Sequence, residues 1–190
     1  MSTATVVPRS LTVWDIDTAH SSLGFSVRHL VISNVHGRFD RWSGSLRFDE
    51  GRPERSQVEA RIESASIDTH EAERDVHLRS ADFLDAGRYP VITFRSTGIE
   101  TIETDRYQLA GDLAIAGVSR RVVLEVETRG RAKDAWGGER YGFSAKTTID
   151  RRDFGLVWNE ALEAGGFVVG EKVEINIEIE AVRRTGASSR

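Results

Sequence analysis

The chain has 190 residues, 26 Lys plus Arg against 30 Asp plus Glu, and a formal net charge of −4. That length fits one domain with a core large enough to need no staples, and the mild acidity excludes a general basic footprint for nucleic acid. The absence of Cys excludes disulfides, thiolate metal sites, iron–sulfur clusters and a Cys nucleophile.

Residues 1–10 carry neither a charged start nor an apolar run, so they read as a disordered N-terminus and not as a secretory signal. From there the dominant signal is alternation with period two. Leu23, Phe25, Val27, His29 and Val31 share one strand face. Val58, Ala60 and Ile62 alternate with Glu59, Arg61 and Glu63. Tyr107, Leu109, Gly111, Leu113 and Ile115 form a third set, and Val122, Leu124 and Val126 a fourth. Val173, Ile175, Ile177 and Ile179 alternate with Lys172, Glu174, Asn176 and Glu178. Strands are predicted near 11–17, 22–32, 36–48, 56–67, 91–103, 107–116, 119–130, 140–151 and 170–183. Turn residues lie between them, such as Asp49-Glu50-Gly51, Thr104-Asp105, Ala116-Gly117 and Gly137-Gly138. A long meander with one wet face hides its edges most economically by closing on itself. The fold class is therefore all-β, an antiparallel barrel, with a two-sheet sandwich as the alternative. The single domain spans 11–183, and 184–190 reads as a disordered tail. No stretch is apolar enough to span a membrane.

One segment breaks the alternation. Residues 66–80 are rich in helix formers and predict a short helix at about 70–80 near a barrel mouth. Asp68 followed by Glu71 fits a capping box, Ala72, Val76 and Arg79 fall on one stripe, and Asp75 stands four residues before Arg79 as a helix ion pair. The charge-dense run holding Arg74, His77 and Arg79 has two readings: a solvated helix face, or a cationic cluster meeting an anionic head group.

Candidate chemistry is sparse. His70 and His77 stand about 10.5 Å apart on a helix, too far to share a metal ion without a third group, so no metal or cofactor is expected. His29 sits on an apolar face, where it either bonds a barrel neighbour or contacts a ligand in a cavity. Asp15, Asp17 and His20, or Asp150 and Asp153, are the conceivable acid–base groups, but no nucleophile elbow, phosphate loop or triad pattern accompanies them. The aromatic residues are spread over nearly every element and either fill the core or line a cavity. The longest irregular stretch, 153–167, places Phe154, Trp158 and Phe167 where they cover the pore, as a moving gate or as a rigid loop.

Trp14-Asp15-Ile16-Asp17, the run from His20 to Leu30, Gly37-Arg38-Phe39 and Ser66-Ile67-Asp68-Thr69 resemble the YceI-like family of polyisoprenoid-binding proteins. The resemblance continues through the run from Glu73 to Leu84, Tyr89-Pro90, Ile92-Thr93-Phe94, Gly111-Asp112-Leu113, Gly117-Val118 and Asp153-Phe154-Gly155-Leu156, in order along nearly the whole domain. It implies an eight-stranded lipocalin-like barrel whose elongated apolar pore binds a long-chain isoprenoid or similar amphiphilic lipid, without catalysis. Together with the alternation phase it places Phe25, Val27, Phe94, Leu113 and Phe143 inside, against the lipid tail. It also allows a homodimer, and without a signal the expected compartment is the cytoplasm. Two rivals remain: an isomerase or hydrolase acting on a hydrophobic substrate in the same cavity, and a stress or scaffold protein with a filled barrel.

Overall fold

The computed structural model describes residues 11–30, 32–49, 51–161 and 168–184. Among them the chain forms eleven strands and one α-helix. In order these are β1 (Thr12–Ile16), β2 (Ser22–His29), β3 (Ser33–Phe39), β4 (Trp42–Phe48), β5 (Gln57–Glu63), β6 (Ile67–Asp68), α1 (Ala72–Arg79), β7 (Val91–Glu103), β8 (Arg106–Ile115), β9 (Val118–Lys133), β10 (Glu139–Asp150) and β11 (Val169–Arg183). Every pairing is antiparallel, and β1, β4, β5, β7, β8, β9, β10 and β11 close an eight-membered ring. Closure rests on β1, whose Trp14 pairs Arg183 on one side and Leu46 on the other. The closed barrel is the expected fold, and it removes the edges that a sandwich would leave.

Two predicted strands are divided. The predicted strand at 36–48 is two, because β3 pairs β2 while β4 pairs β1. The break at Asp40-Arg41 is tied down when Glu63 N and Ser66 Oγ donate to Arg41 O. The predicted strand at 56–67 is likewise β5 and β6, separated by a single 3₁₀ turn at Ser64–Ser66. β1 and β2 both pair β11, at residues 181–183 and 169–178, and a 3₁₀ turn capped by Asp17 joins them. The sheet can therefore change partner halfway along the barrel, and β2, β3 and β6 extend the wall towards α1.

The β8–β9 hairpin has a two-residue loop, Ala116-Gly117, with φ of 47° and 79°. Two successive positive φ values match the right-handed twist of the flanking strands. Gly117 is also required by space, since a Cβ there would stand 2.5 Å from the Tyr89 ring.

The helix is shorter than predicted and differently anchored. Its cap is Glu71, whose carboxylate accepts from Glu73 N and Arg74 N, while Asp68 accepts from His70 N outside the helix. The stripe of Ala72, Val76 and Arg79 is not a packing face: Ala72 is exposed and Val76 is 67% exposed. Asp75 is the buried residue, and it accepts from Thr69 N at 3.0 Å and Thr69 Oγ1 at 2.6 Å, not from Arg79. Arg79 instead donates to Ala65 O and Ile67 O. Hydrogen bonds to the preceding loop, together with the single apolar contact of Leu78 on the core, hold this polar helix.

Two buried clusters pack inside the ring. Ile62, Ile67, Leu84, Ile92, Leu113, Ile115, Ile149 and Phe154 form the larger one at the α1 end, and Trp14, Leu46, Phe48 and Ala181 form the smaller one at the other end.

Candidate binding cavity

Inward phases from all eight ring strands converge on one cavity of about 320 Å³ that reaches from Leu46, Phe48 and Phe143 to Leu84, Ile115 and Ile149. The odd-numbered residues of β11 from Val173 to Ala181 line it, and their even-numbered neighbours face out. β7 carries a register shift between Ser96 and Gly98, so Ile92 and Phe94 and then Ile99 point inward. A bulge of this kind reverses the phase that strict alternation predicts.

Five of the residues expected inside, Phe25, Val27, Phe94, Leu113 and Phe143, do line the cavity. His29 does not; it is half-buried at the end of β2, opposite Ser33 and Val169, and of that pairing only Val169 lines the cavity. Phe154 is also absent from the lining: at 2% exposure it is a core residue of the larger cluster. Trp158 lies at the α1 end, 4.6 Å from the His77 ring and 5.3 Å from Phe83, centroid to centroid. It packs on residues beside the mouth without lining the pore itself. Phe167 lies outside the described residues.

The three expected mouth residues are together at this end, each with a structural partner. Arg74 donates to Thr69 Oγ1 and Thr69 O, His77 Nε2 lies 2.9 Å from Asp82 Oδ2, and Arg79 holds the carbonyls of Ala65 and Ile67. Leu78, Phe83 and Leu84 carry this segment into the cavity wall.

The conceivable acid–base groups lie elsewhere. Asp17 sits outside the cavity lining, with His20 Nδ1 at 3.0 Å and the Arg140 guanidinium at 2.9 Å. The hydrogen bond from His20, then that from Arg140, lowers its pKa to about 2. Arg140 also donates to Glu180 and Asp134, so a fixed cation already occupies the only described group of Asp, Glu and His close enough to hold a metal ion. Asp15 pairs with Arg184, and Asp150 pairs with Arg152 and Lys172, which holds its carboxyl well below the usual range. Carboxylates so paired are poor general bases.

Among the wall residues that escaped sequence reasoning, Arg151 is the charged one. Arg151 follows Phe143, Ala145, Thr147 and Ile149 in the inward phase of β10, and it is 3% exposed. Extending the alternation by one step would have found it, but a predicted strand end at Asp150-Arg151 reads as a polar turn.

Fold and cavity together define an eight-stranded antiparallel barrel built around an apolar interior. Residues 14–181 match the model of the YceI-like domain, and the chain belongs to that family. It is 37% identical over 172 residues to a UPF0312 protein of Azotobacter vinelandii, covering 90% of this chain and 86% of that one. It is 34% identical over 172 residues to a UPF0312 protein of Pseudomonas savastanoi, with the same coverage. Among solved structures, the Campylobacter jejuni YCEI protein is similar with a TM-score of 0.70 and 33% identity, over 97% of this chain and 100% of that one. A polyisoprenoid binding domain from Saccharophagus degradans shares the fold at 15% identity, with a TM-score of 0.69 over 92% of this chain and 100% of that one.

Proposed function

We propose that the protein binds a long-chain isoprenoid or similar amphiphilic lipid inside the barrel, for carriage, storage or sequestration and not for catalysis. The observation that carries this reading is the cavity, about 320 Å³ lined almost wholly by aliphatic and aromatic side chains. That volume falls within the range of ligand pockets, roughly 300–1,000 Å³. Each methylene of a lipid tail that leaves water for such a wall contributes about 0.8 kcal/mol. Binding therefore needs few directed contacts along the tail. Family membership and the fold shared with a polyisoprenoid binding domain of Saccharophagus degradans support the choice of an isoprenoid. Arg151 and Tyr107 are the titratable side chains of the wall among the described residues, a thin basis for acid–base chemistry.

The test is organic extraction of the purified protein followed by mass spectrometry, with geranylgeraniol added to a delipidated sample in parallel. A stoichiometric lipid, or a clear rise in melting temperature with geranylgeraniol, is the expected result. A protein that retains no lipid and is not stabilised by geranylgeraniol has a filled barrel, and the reading fails.

A further inference from the structure

Arg151 is the one charged side chain among the described residues that line the cavity. Its surroundings differ from those of its neighbours. Arg152 takes the carboxylates of both Asp150 and Glu171, and Lys172 shares Asp150. Asp150 and Glu171 are the carboxylates whose charges act on Arg151, and no described carboxylate makes an ion pair with its guanidinium. Its partners are backbone carbonyls instead. Nε donates to Gly170 O at 2.9 Å, and Nη1 donates to Leu156 O at 2.5 Å and Trp158 O at 2.9 Å. Nη2 makes a single long contact, 3.4 Å to Val169 O.

A guanidinium carries five N–H groups in a planar fork. Four contacts leave one N–H of Nη2 uncommitted and a second only weakly used. Burial works against the charge and lowers the pKa of Arg151, yet an arginine stays protonated in proteins. The barrel therefore holds a permanent positive charge in its apolar wall, with neutral dipoles for company and a donor to spare. An anion at this point would be bound through charge-assisted hydrogen bonds in a water-poor setting.

We propose that Arg151 is the recognition point for an acidic head group, a carboxylate or a phosphate ester, which makes the cavity selective for anionic amphiphiles. This rests on the reading of the cavity as a lipid site. The head lies at the α1 end beside Arg151, and the tail runs along β10 towards Phe143 and Phe48. Phe143 and Arg151 are eight residues apart, about 27 Å along a strand, a span suited to a long chain. The assignment moves head-group recognition from Arg74 and Arg79, whose donors hold the 65–69 loop, into the wall itself.

The probes are cis-parinaric acid and its methyl ester, which share a tail and fluoresce on entering an apolar site. The wild-type protein is expected to bind the acid at least about tenfold more tightly than the ester, a difference of about 1.4 kcal/mol. Displacement by geranylgeranyl phosphate against geranylgeraniol, and by palmitate against methyl palmitate, tells a phosphate head from a carboxylate head. In Arg151→Met the acid is expected to weaken to the level of the ester while the ester is unchanged, and Arg151→Lys is expected to restore part of the preference. Because Arg151 also ties down carbonyls, Arg151→Met can fail to fold; the wild-type ratios then decide. Equal binding of every acid and its neutral twin by the wild type overturns this proposal and leaves the lipid cavity standing. Binding of neither overturns both.

Discussion

Phe25 on β2 lies across Gly37, its cross-strand partner on β3, so closely that a Cβ at position 37 would stand 2.3 Å from Phe25 Cζ. The same device recurs where the Phe94 ring covers Gly111, 2.4 Å from a would-be Cβ. In both places a large ring is laid against the wall over a residue without a side chain. The rings supply apolar surface to the cavity without standing in its bore.

Gly37→Ala should therefore tilt the Phe25 ring inward. We expect a loss of about 1–3 kcal/mol, typical of overpacking, together with less retained lipid. Gly87→Ala is the control, because nothing lies within 4 Å of its would-be Cβ. Urea unfolding and lipid-to-protein ratio measure both variants; equal behaviour of the two would remove the ring-over-glycine argument.

Filling the bore directly should act on the ligand more than on the fold. Val27→Trp and Leu113→Trp put an indole into the cavity that both residues line. Each is expected to cut the lipid retained per protein by more than half while far-ultraviolet circular dichroism stays native. Full lipid stoichiometry in a folded variant counts against that position.

The helix at the mouth hangs on Asp75. Its Oδ1 receives both the amide and the hydroxyl of Thr69, and leaving buried donors unsatisfied costs about 1–3 kcal/mol. Asp75→Ala should lose that much and raise hydrogen exchange across 72–79, whereas Val76→Ala on the exposed side of α1 should change the unfolding midpoint little. Similar effects from the two substitutions would show that α1 is not anchored through Asp75.

Acid sensitivity follows from Asp17. Its pKa is lowered from 3.8 to about 2 by His20 and then Arg140. A depressed acid contributes stability that is complete above its ordinary value and lost as pH falls through its folded value. Wild-type stability should hold above about pH 4 and decline towards pH 2. Asp17→Asn should be less stable at neutral pH and should fall less steeply over that window; parallel pH profiles for the two proteins would refute the linkage.

The loop after β10 gives a dynamic prediction. Trp158 packs on His77 and Phe83 beside the mouth, and Arg151 holds Leu156 O and Trp158 O. We expect amides of 155–161 to be better protected from hydrogen exchange with lipid bound than without it. Equal protection in both states, with free lipid exchange, would assign entry to the other end of the barrel.

Alternation and turn chemistry determined the barrel, because a strand with one wet face writes its inward residues at every second position. Phe25, Val27, Leu113 and Phe143 were legible for that reason, and the motif runs placed the chain in its family. The polar groups were not legible. Asp75 and Arg79 look like a helix ion pair at four-residue spacing, but the loop carbonyls and Thr69 reach them first in space. Likewise Phe154 reads as a loop aromatic, yet a 3₁₀ turn drives it into the core. Arg151 reads as a turn residue beside Arg152; only the tertiary structure sends one guanidinium to the carboxylates of Asp150 and Glu171 and the other into the wall among carbonyls. Hydrophobic burial follows a periodicity written in the chain, whereas the partner of a hydrogen-bonding group is whichever complementary atom the fold brings within about 3 Å.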